Sequence, residues 1–297
     1  MNKRMRAHFF LLITAFIWGG AFVAQKEGME HIGPFTFNLI RMIIGGVVLV
    51  PVVFFLRKMG ITSAGATNDK SITGDPAVTG GLFCGLILFF GASFQQIGII
   101  YTTAGKAGFI TALYIVIVPV IGLFLKKKTG KKLWLCVGLA IIGMYFLCVL
   151  DGSEVNKGDF IMLFSALGFA AHIMVVDKFS YVGDPVKMSR VQFFVCGALS
   201  APMAIMEAPA ISDISEAWGA LFFTGVMSCG LAYTLQIVAQ RGAGPTIAAL
   251  IMSFEAVFAV LTGFVILNET LSNKEIAGCL LMFCAIIMAQ IPEKSVK

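Results

Sequence analysis

The chain has 297 residues, of which 58% are hydrophobic and 13% charged, with a mean hydropathy of +0.91 and a formal net charge of +6. That balance excludes a soluble globule, because one core cannot hide so much apolar surface while polar groups coat the outside. A bilayer removes the difficulty: segments of about twenty mostly apolar residues cross its ~30 Å hydrocarbon as helices, with every backbone group bonded internally.

Ten such segments are predicted, at 8–25, 34–56, 78–100, 105–125, 133–150, 159–177, 189–206, 217–238, 244–267 and 275–291. The first follows Lys3, Arg4 and Arg6 in the manner of a signal peptide, but its apolar run is long and no small-x-small cleavage site comes after it, so it reads as an uncleaved helix. At helical spacing it aligns Thr14, Trp18, Ala21 and Gln25 on one face. The second carries Arg41, one to two turns from its start. A connection at 57–76, rich in Gly, Ser, Thr, Asn and Asp, reads as mobile. The third segment holds Gln95 on a face with Leu88, Gly91 and Gly98, and Gly81 with Gly85 forms a G-x-x-x-G that suits close helix packing, within one chain or between chains. In the fourth, Thr111 and Tyr114 share a face and Pro119 breaks the hydrogen-bond ladder. The stretch KKKTGKK then leads into the fifth and reads as an anchor at the membrane surface. His172 and Asp177 fall towards the end of the sixth, in an H-x4-D pattern that some acyltransferases also show. No glycine-rich or arginine-bearing companion accompanies it, and an interfacial histidine is the plain reading. The seventh holds Gln192. In the eighth, Cys229, Tyr233, Gln236 and Gln240 recur at i, i+4, i+7 and i+11. Gln25 and Gln240 fall near the membrane surface. Glu255 lies midway along the ninth, with Ala248, Met252, Ala259 and Gly263 as a mostly small face around it.

The ten segments read as two sets of five. A shift of 151 places Ala15, Pro34, Gly46 and Pro51 on Ala166, Pro185, Gly197 and Pro202, and a shift of 137 places Gly105, Ile110, Ala112, Leu113 and Val120 on Gly242, Ile247, Ala249, Leu250 and Val257. The fourteen-residue difference falls in the loop at 57–76, longer than its counterpart near 207–216. With a cytoplasmic N-terminus, 17 lysines and arginines lie inside, 4 lie outside (Lys26, Lys106, Lys157, Lys274), and Arg41 is left within a helix. Both termini are then cytoplasmic. Because five is odd, the second copy, 151–297, enters the membrane inverted relative to the first, 1–150. The fold class is therefore an all-α integral membrane protein of ten transmembrane helices in two inverted five-helix repeats. The positive charge reports topology and calls for no nucleic-acid partner.

The stretches AFIWGGAFVAQK, IGPFTFNLIR, AGKAGFITALYIVIVP and GPTIAALIMSFEAVFAVLTGFVILNETLS resemble the paired EamA repeats of the drug/metabolite transporter superfamily, over about residues 8–291. The resemblance implies an inner-membrane carrier of small metabolites, amino acids or drugs with a central cavity between the halves, and it points to export. One departure is visible. After Glu255, where the family often has proline, this chain has Ala256, whereas Pro119 keeps the equivalent place in the first copy. A stronger break is thus expected in the fourth helix than in the ninth.

Polar side chains inside hydrocarbon are the informative exceptions. Glu255 is read either as the residue that binds a proton or a cationic substrate group, or as a structural hydrogen-bonding group between helices. Arg41 either attracts a substrate carboxylate or snorkels and caps a neighbouring helix. Trp18 is the candidate aromatic wall, with Gln95, Thr111, Tyr114, Tyr233 and Gln236 as substrate contacts and His172 as a second candidate for proton coupling. The seven cysteines form no CxxC pair, and there is no HExxH, P-loop or dinucleotide fingerprint, so no metal and no cofactor is implied. The expected partners are a small-molecule substrate and membrane lipid, with the protein a monomer or homodimer. A passive channel and an integral-membrane enzyme acting on lipid-linked substrates are the alternatives to a secondary transporter.

Overall fold

A computed structural model of the chain describes residues 3–58, 74–126, 130–148, 156–266 and 273–290. The body of the polar connection at 59–73, residues 127–129 of the basic anchor, and Lys294 and Lys297 lie outside the described residues. Every regular element described is helical. In chain order they are α1 (Lys3–Gly28), α2 (Pro34–Lys58), α3 (Pro76–Ile99), α4 (Ala104–Ala112), α5 (Tyr114–Phe124), α6 (Lys131–Cys148) and α7 (Lys157–Ser180). Then come α8 (Pro185–Glu207), the short α9 (Ile211–Glu216), α10 (Trp218–Phe223), a π-helical stretch at Thr224–Tyr233, α11 (Thr234–Ala243), α12 (Pro245–Met252), α13 (Glu255–Ile266) and α14 (Asn273–Gln290).

Eight helices among the described residues are long and apolar enough to cross a membrane. Four are α1, α2, α3 and α7; α8 is a fifth; and three are composite, running as α4–α5, α10–α11 through the π-helical stretch, and α12–α13. The predicted fifth and tenth segments form α6 and α14, of 18 residues each, which pack chiefly on one another. Large apolar side chains such as Phe16, Phe83, Phe160, Leu86 and Leu280 stand exposed on the outer wall. A bundle surrounded by hydrocarbon needs no polar coat there.

The helix starts follow from local chemistry. Asp75 accepts from Ala77 N at 2.8 Å and Asp184 from Lys187 N at 2.9 Å, each just ahead of a proline whose missing N–H costs nothing at that position. Asn156 and Asp159 close a capping box on α7. The start of α2 is capped from far along the chain, where Glu207 accepts from Phe35 N and Thr36 N at 3.0 and 2.7 Å.

Glycine sets how closely the rods approach. The Gly81–Gly85 pair of α3 packs on α8, where a Cβ at either position would come 2.6 Å from Val191 or Val195, so this motif joins helices within the chain. Gly19 lets α1 press against α13 just as tightly.

Ion pairs tie the bundle at both ends. At one, Lys106 meets Asp159 at 2.7 Å and Lys26 donates to the carbonyls of Ile99 and Ile100 at 3.0 Å. At the other, Lys187 pairs with Asp75, and its ammonium holds the Asp75 carboxyl below its ordinary value of 3.8. A depressed folded-state value contributes stability that is present above the ordinary value and lost as pH falls through the lower one. Because the pair is half exposed, the contribution is at most about 1 kcal/mol. Thermal unfolding should therefore show Asp75→Asn slightly less stable than the parent at pH 6, with the difference vanishing near pH 3; a constant difference across that range would remove the ion pair as its cause.

Candidate functional site

Three of the helices around the bundle centre depart from regular α geometry. The first composite breaks at Leu113, where Leu113 N reaches Ile110 O and Val116 N reaches Leu113 O, both three residues back. The second breaks over Ser253 and Phe254, with Phe254 N bonded to Ile251 O and Ala256 N to Ser253 O. The expectation of a lesser break in the ninth segment is thus corrected: it is interrupted over two residues without any proline. Ser253 supplies the reason, because its hydroxyl donates to Leu250 O at 2.8 Å and competes with the regular ladder. Tyr114 becomes the first residue of α5 and Glu255 the first of α13. Two helix N-termini, each with its partial positive charge, are thereby brought to the middle of the bundle.

The third departure is the ten-residue π-helical stretch. A threonine opens it and another follows it, with Thr224 donating to Ala220 O at 2.7 Å and Thr234 to Gly230 O at 2.8 Å, while Thr14 of α1 donates across to Ala232 O at 3.2 Å. The wider i→i+5 winding puts residues five apart on nearly one face. Ser228 and Tyr233 accordingly face the same space.

That space is a cavity of about 440 Å³, counting its open part, lined by Trp18, Ala21, Phe22 and Gln25 of α1, Arg41 of α2, and Gln95 of α3. Thr111 and Tyr114, Phe169, His172 and Ile173 of α7, Ser228, Tyr233, Gln236 and Glu255 complete the wall. Every residue singled out from the sequence for substrate or proton binding is there. Thr14 and Cys229, from the same predicted stripes, are not: Thr14 braces the π-helical stretch and Cys229 packs on Met42. The small face beside Glu255 is used for packing, with Ala259 against Gly19 and Gly108.

Two readings are corrected. His172 is not interfacial; it is the sixteenth of 24 residues in α7, 1% exposed, with Nε2 at 2.9 Å from Gln192 Oε1. Gln25 and Gln240 are buried, three residues from the ends of α1 and α11. Gln25 accepts from Arg41 Nη1 at 2.7 Å, while Asn38 accepts from Arg41 Nε at 3.0 Å, and Gln240 donates to Ile173 O at 2.6 Å. Arg41 therefore neither snorkels nor caps a helix; it is held inward by two amides. Ala21, Phe22, Gln25, Phe169, Ile173 and Ser228 are the wall residues to which sequence reasoning assigned no role. Only Ala21 and Gln25, which share the Trp18 face, gave a signal.

The aromatic side is a cluster: the Trp18 ring lies tilted against Tyr233 with centroids 4.8 Å apart, and His172 meets the same Tyr233 edge-on at 5.7 Å. Gln95 donates to Thr111 at 3.3 Å. Glu255 and Tyr114 face one another across this space, and of the buried polar atoms without a hydrogen-bond partner among the described residues, Trp18 Nε1 and Gln236 Oε1 belong to its wall. Burying such groups unpaired costs roughly 1–3 kcal/mol each, so those on the cavity wall offer hydrogen bonds to whatever enters the space. The Arg41 guanidinium and the Glu255 carboxyl line the same cavity, and no ion pair joins them.

The sequence profile of the EamA-like transporter family matches the chain twice, over residues 5–149 and 156–290. An uncharacterized transporter of Archaeoglobus fulgidus is 31% identical over 290 residues, spanning 97% of this chain and 87% of that protein. The threonine/homoserine exporter RhtA of Salmonella typhimurium is 25% identical over 281 residues, spanning 82% of this chain and 91% of its own. A crystal structure 16% identical in sequence superposes with a TM-score of 0.75 over 96% of this chain and 98% of that one, a likeness of fold.

Proposed function

Because the chain belongs to the EamA-like transporter family, we propose that the cavity is the carrier site of a secondary transporter for a small metabolite, an amino acid or a related compound. The observation that carries this is the buried carboxyl of Glu255, 2% exposed, set at the start of α13 beside Tyr114 at the start of α5. Interrupted helices meeting at the bundle centre are the arrangement by which carriers present ligand-binding groups at mid-membrane.

In this reading Glu255 takes the substrate ammonium or the coupling proton, and Arg41, with Nη2 left over from its two amide bonds, takes the carboxylate. Trp18 and Tyr233 form the wall. Gln95, Thr111, Tyr114 and Gln236 supply hydrogen bonds, and His172, held by Gln192, takes part in moving the proton. Residues 1–150 and 151–297 are two inverted five-helix repeats, with α6 and α14 crossing the membrane as well. They rock about the site and expose it to each side in turn. The lysine and arginine distribution supports cytoplasmic termini and the cell membrane, and the exporter among the relatives supports outward movement.

Proteoliposomes preloaded with unlabelled threonine, and in parallel with other amino acids, test the reading. Uptake of the labelled compound should saturate and should be accelerated by the unlabelled compound inside. Non-saturating flux without counterflow would identify a channel, and chemical conversion of the label an enzyme; either would overturn the proposal.

A further inference from the structure

A second concavity lies on the outer wall of the bundle and shares no residue with the cavity. Val50 of α2 and Arg190, Val191, Phe194, Val195 and Ala198 of α8 line a groove of about 710 Å³, counting the space open to the outside. Gly46 lets the Phe194 ring lie directly on α2, since a Cβ there would come 3.0 Å from it. Val50 and Phe194 remain 46% and 42% exposed, so the groove presents apolar walls to whatever surrounds the bundle.

Arg190 is the polar member of the set, and its depth is informative. It stands five residues after Pro185, where α8 begins, or about 8 Å along the axis; Ala198 lies about 12 Å further on. A single leaflet of hydrocarbon is about 15 Å deep, so the groove runs the length of an acyl chain with a guanidinium at its headgroup end. The cations packed near that end are engaged: Lys187 by Asp75, Arg241 by the Gly183 carbonyl, and Lys178 by the Phe179 ring. Arg190 has no such partner among the described residues.

We infer that this groove is a binding site for one anionic phospholipid, whose phosphate pairs with Arg190 and whose acyl chain lies along Val50, Val191, Phe194, Val195 and Ala198. An apolar trough alone would accept any lipid, and an arginine alone any anion. Their alignment along one leaflet selects a molecule carrying both. Such a lipid would bridge α2 and α8 from outside while the carrier cavity works on the inside, so its occupancy acts on stability and leaves cargo choice alone.

The test uses the full-length protein in neutral detergent, offered phosphatidylglycerol or phosphatidylcholine of identical chains, with lipid retention followed by native mass spectrometry. The parent should retain phosphatidylglycerol about fivefold more tightly, the increment of one arginine at a membrane surface. Arg190→Gln should abolish that preference and Arg190→Lys should keep most of it. Should Arg190→Gln fail to fold, Ala198→Trp, which fills the trough and spares the arginine, should lower retention of both lipids. Equal retention of the two lipids by the parent, an undiminished preference in Arg190→Gln, unchanged retention in Ala198→Trp, or displacement of the lipid by millimolar inorganic phosphate would each overturn the inference. None of these readouts depends on transport, so the fate of the carrier reading is decided separately.

Discussion

Glu255→Gln is expected to abolish transport driven by a pH gradient while leaving the protein folded and monodisperse. The substitution keeps the volume and one oxygen, and α13 still begins at the same residue, so packing around Ala256 and Ala259 is preserved. What goes is the only acidic group on the cavity wall among the described residues. A carboxylate that pairs with a substrate ammonium is worth roughly 1.5–3 kcal/mol, so KM for an amine-bearing substrate should rise about tenfold to a hundredfold. Gradient-driven accumulation in proteoliposomes should vanish altogether, because glutamine cannot pick up a proton on one side and release it on the other. His172→Gln provides the comparison: retained accumulation there, with loss in Glu255→Gln, assigns the coupling to the carboxylate. Accumulation by Glu255→Gln at the parent's rate would remove Glu255 from both roles and leave its carboxyl as a bond between helices.

The second large effect concerns folding. A Cβ placed on Gly19 would overlap Phe258 Cβ and stand 2.8 Å from the backbone nitrogen of Ala259. Neither neighbour can swing away, because one atom is bonded directly to the main chain and the other belongs to it. Gly19→Ala must therefore push α1 and α13 apart, at a cost of about 2–3 kcal/mol, the upper part of the range for overpacked cores. The displacement would reach Trp18 and Glu255, the neighbours on either side, so transport should fall with stability. Gly138→Ala, with nothing within 4 Å of the added methyl, serves as control. Equal melting temperatures for the two variants in detergent would contradict the close crossing.

Much of the cavity was legible because hydrocarbon penalises polar groups so heavily that any one found inside must be explained. Trp18, Arg41, Gln95, Tyr233, Gln236 and Glu255 stood out on that ground alone, and the structure gathers them around one space. What stayed hidden depended on geometry that composition does not encode. The break before Glu255 arises from a serine hydroxyl turning back on its own helix, whereas sequence reasoning looked for proline. Ser228 was missed because α-helical spacing puts it on a different face from Tyr233, and only the wider winding reunites them. The depth of His172 was misjudged because the predicted segment was drawn three residues short at its far end, and α7 continues to Ser180. The hold of Gln25 on Arg41 links side chains on separate helices, a pairing that no single-helix pattern contains.

The π-helical stretch has one more consequence, for how the chain tolerates length changes. Removing a residue from α7 would rotate everything beyond the cut by about 100° and scramble the wall behind it. Removing one between Thr224 and Tyr233 would instead let the coil tighten to ordinary α winding, with the helices on either side staying where they are. That stretch is slack in an otherwise taut rod. An in-frame deletion there should yield a protein that still inserts and folds but has Ser228 turned out of the wall, altering the shape of the guest's berth without disturbing the frame that holds it.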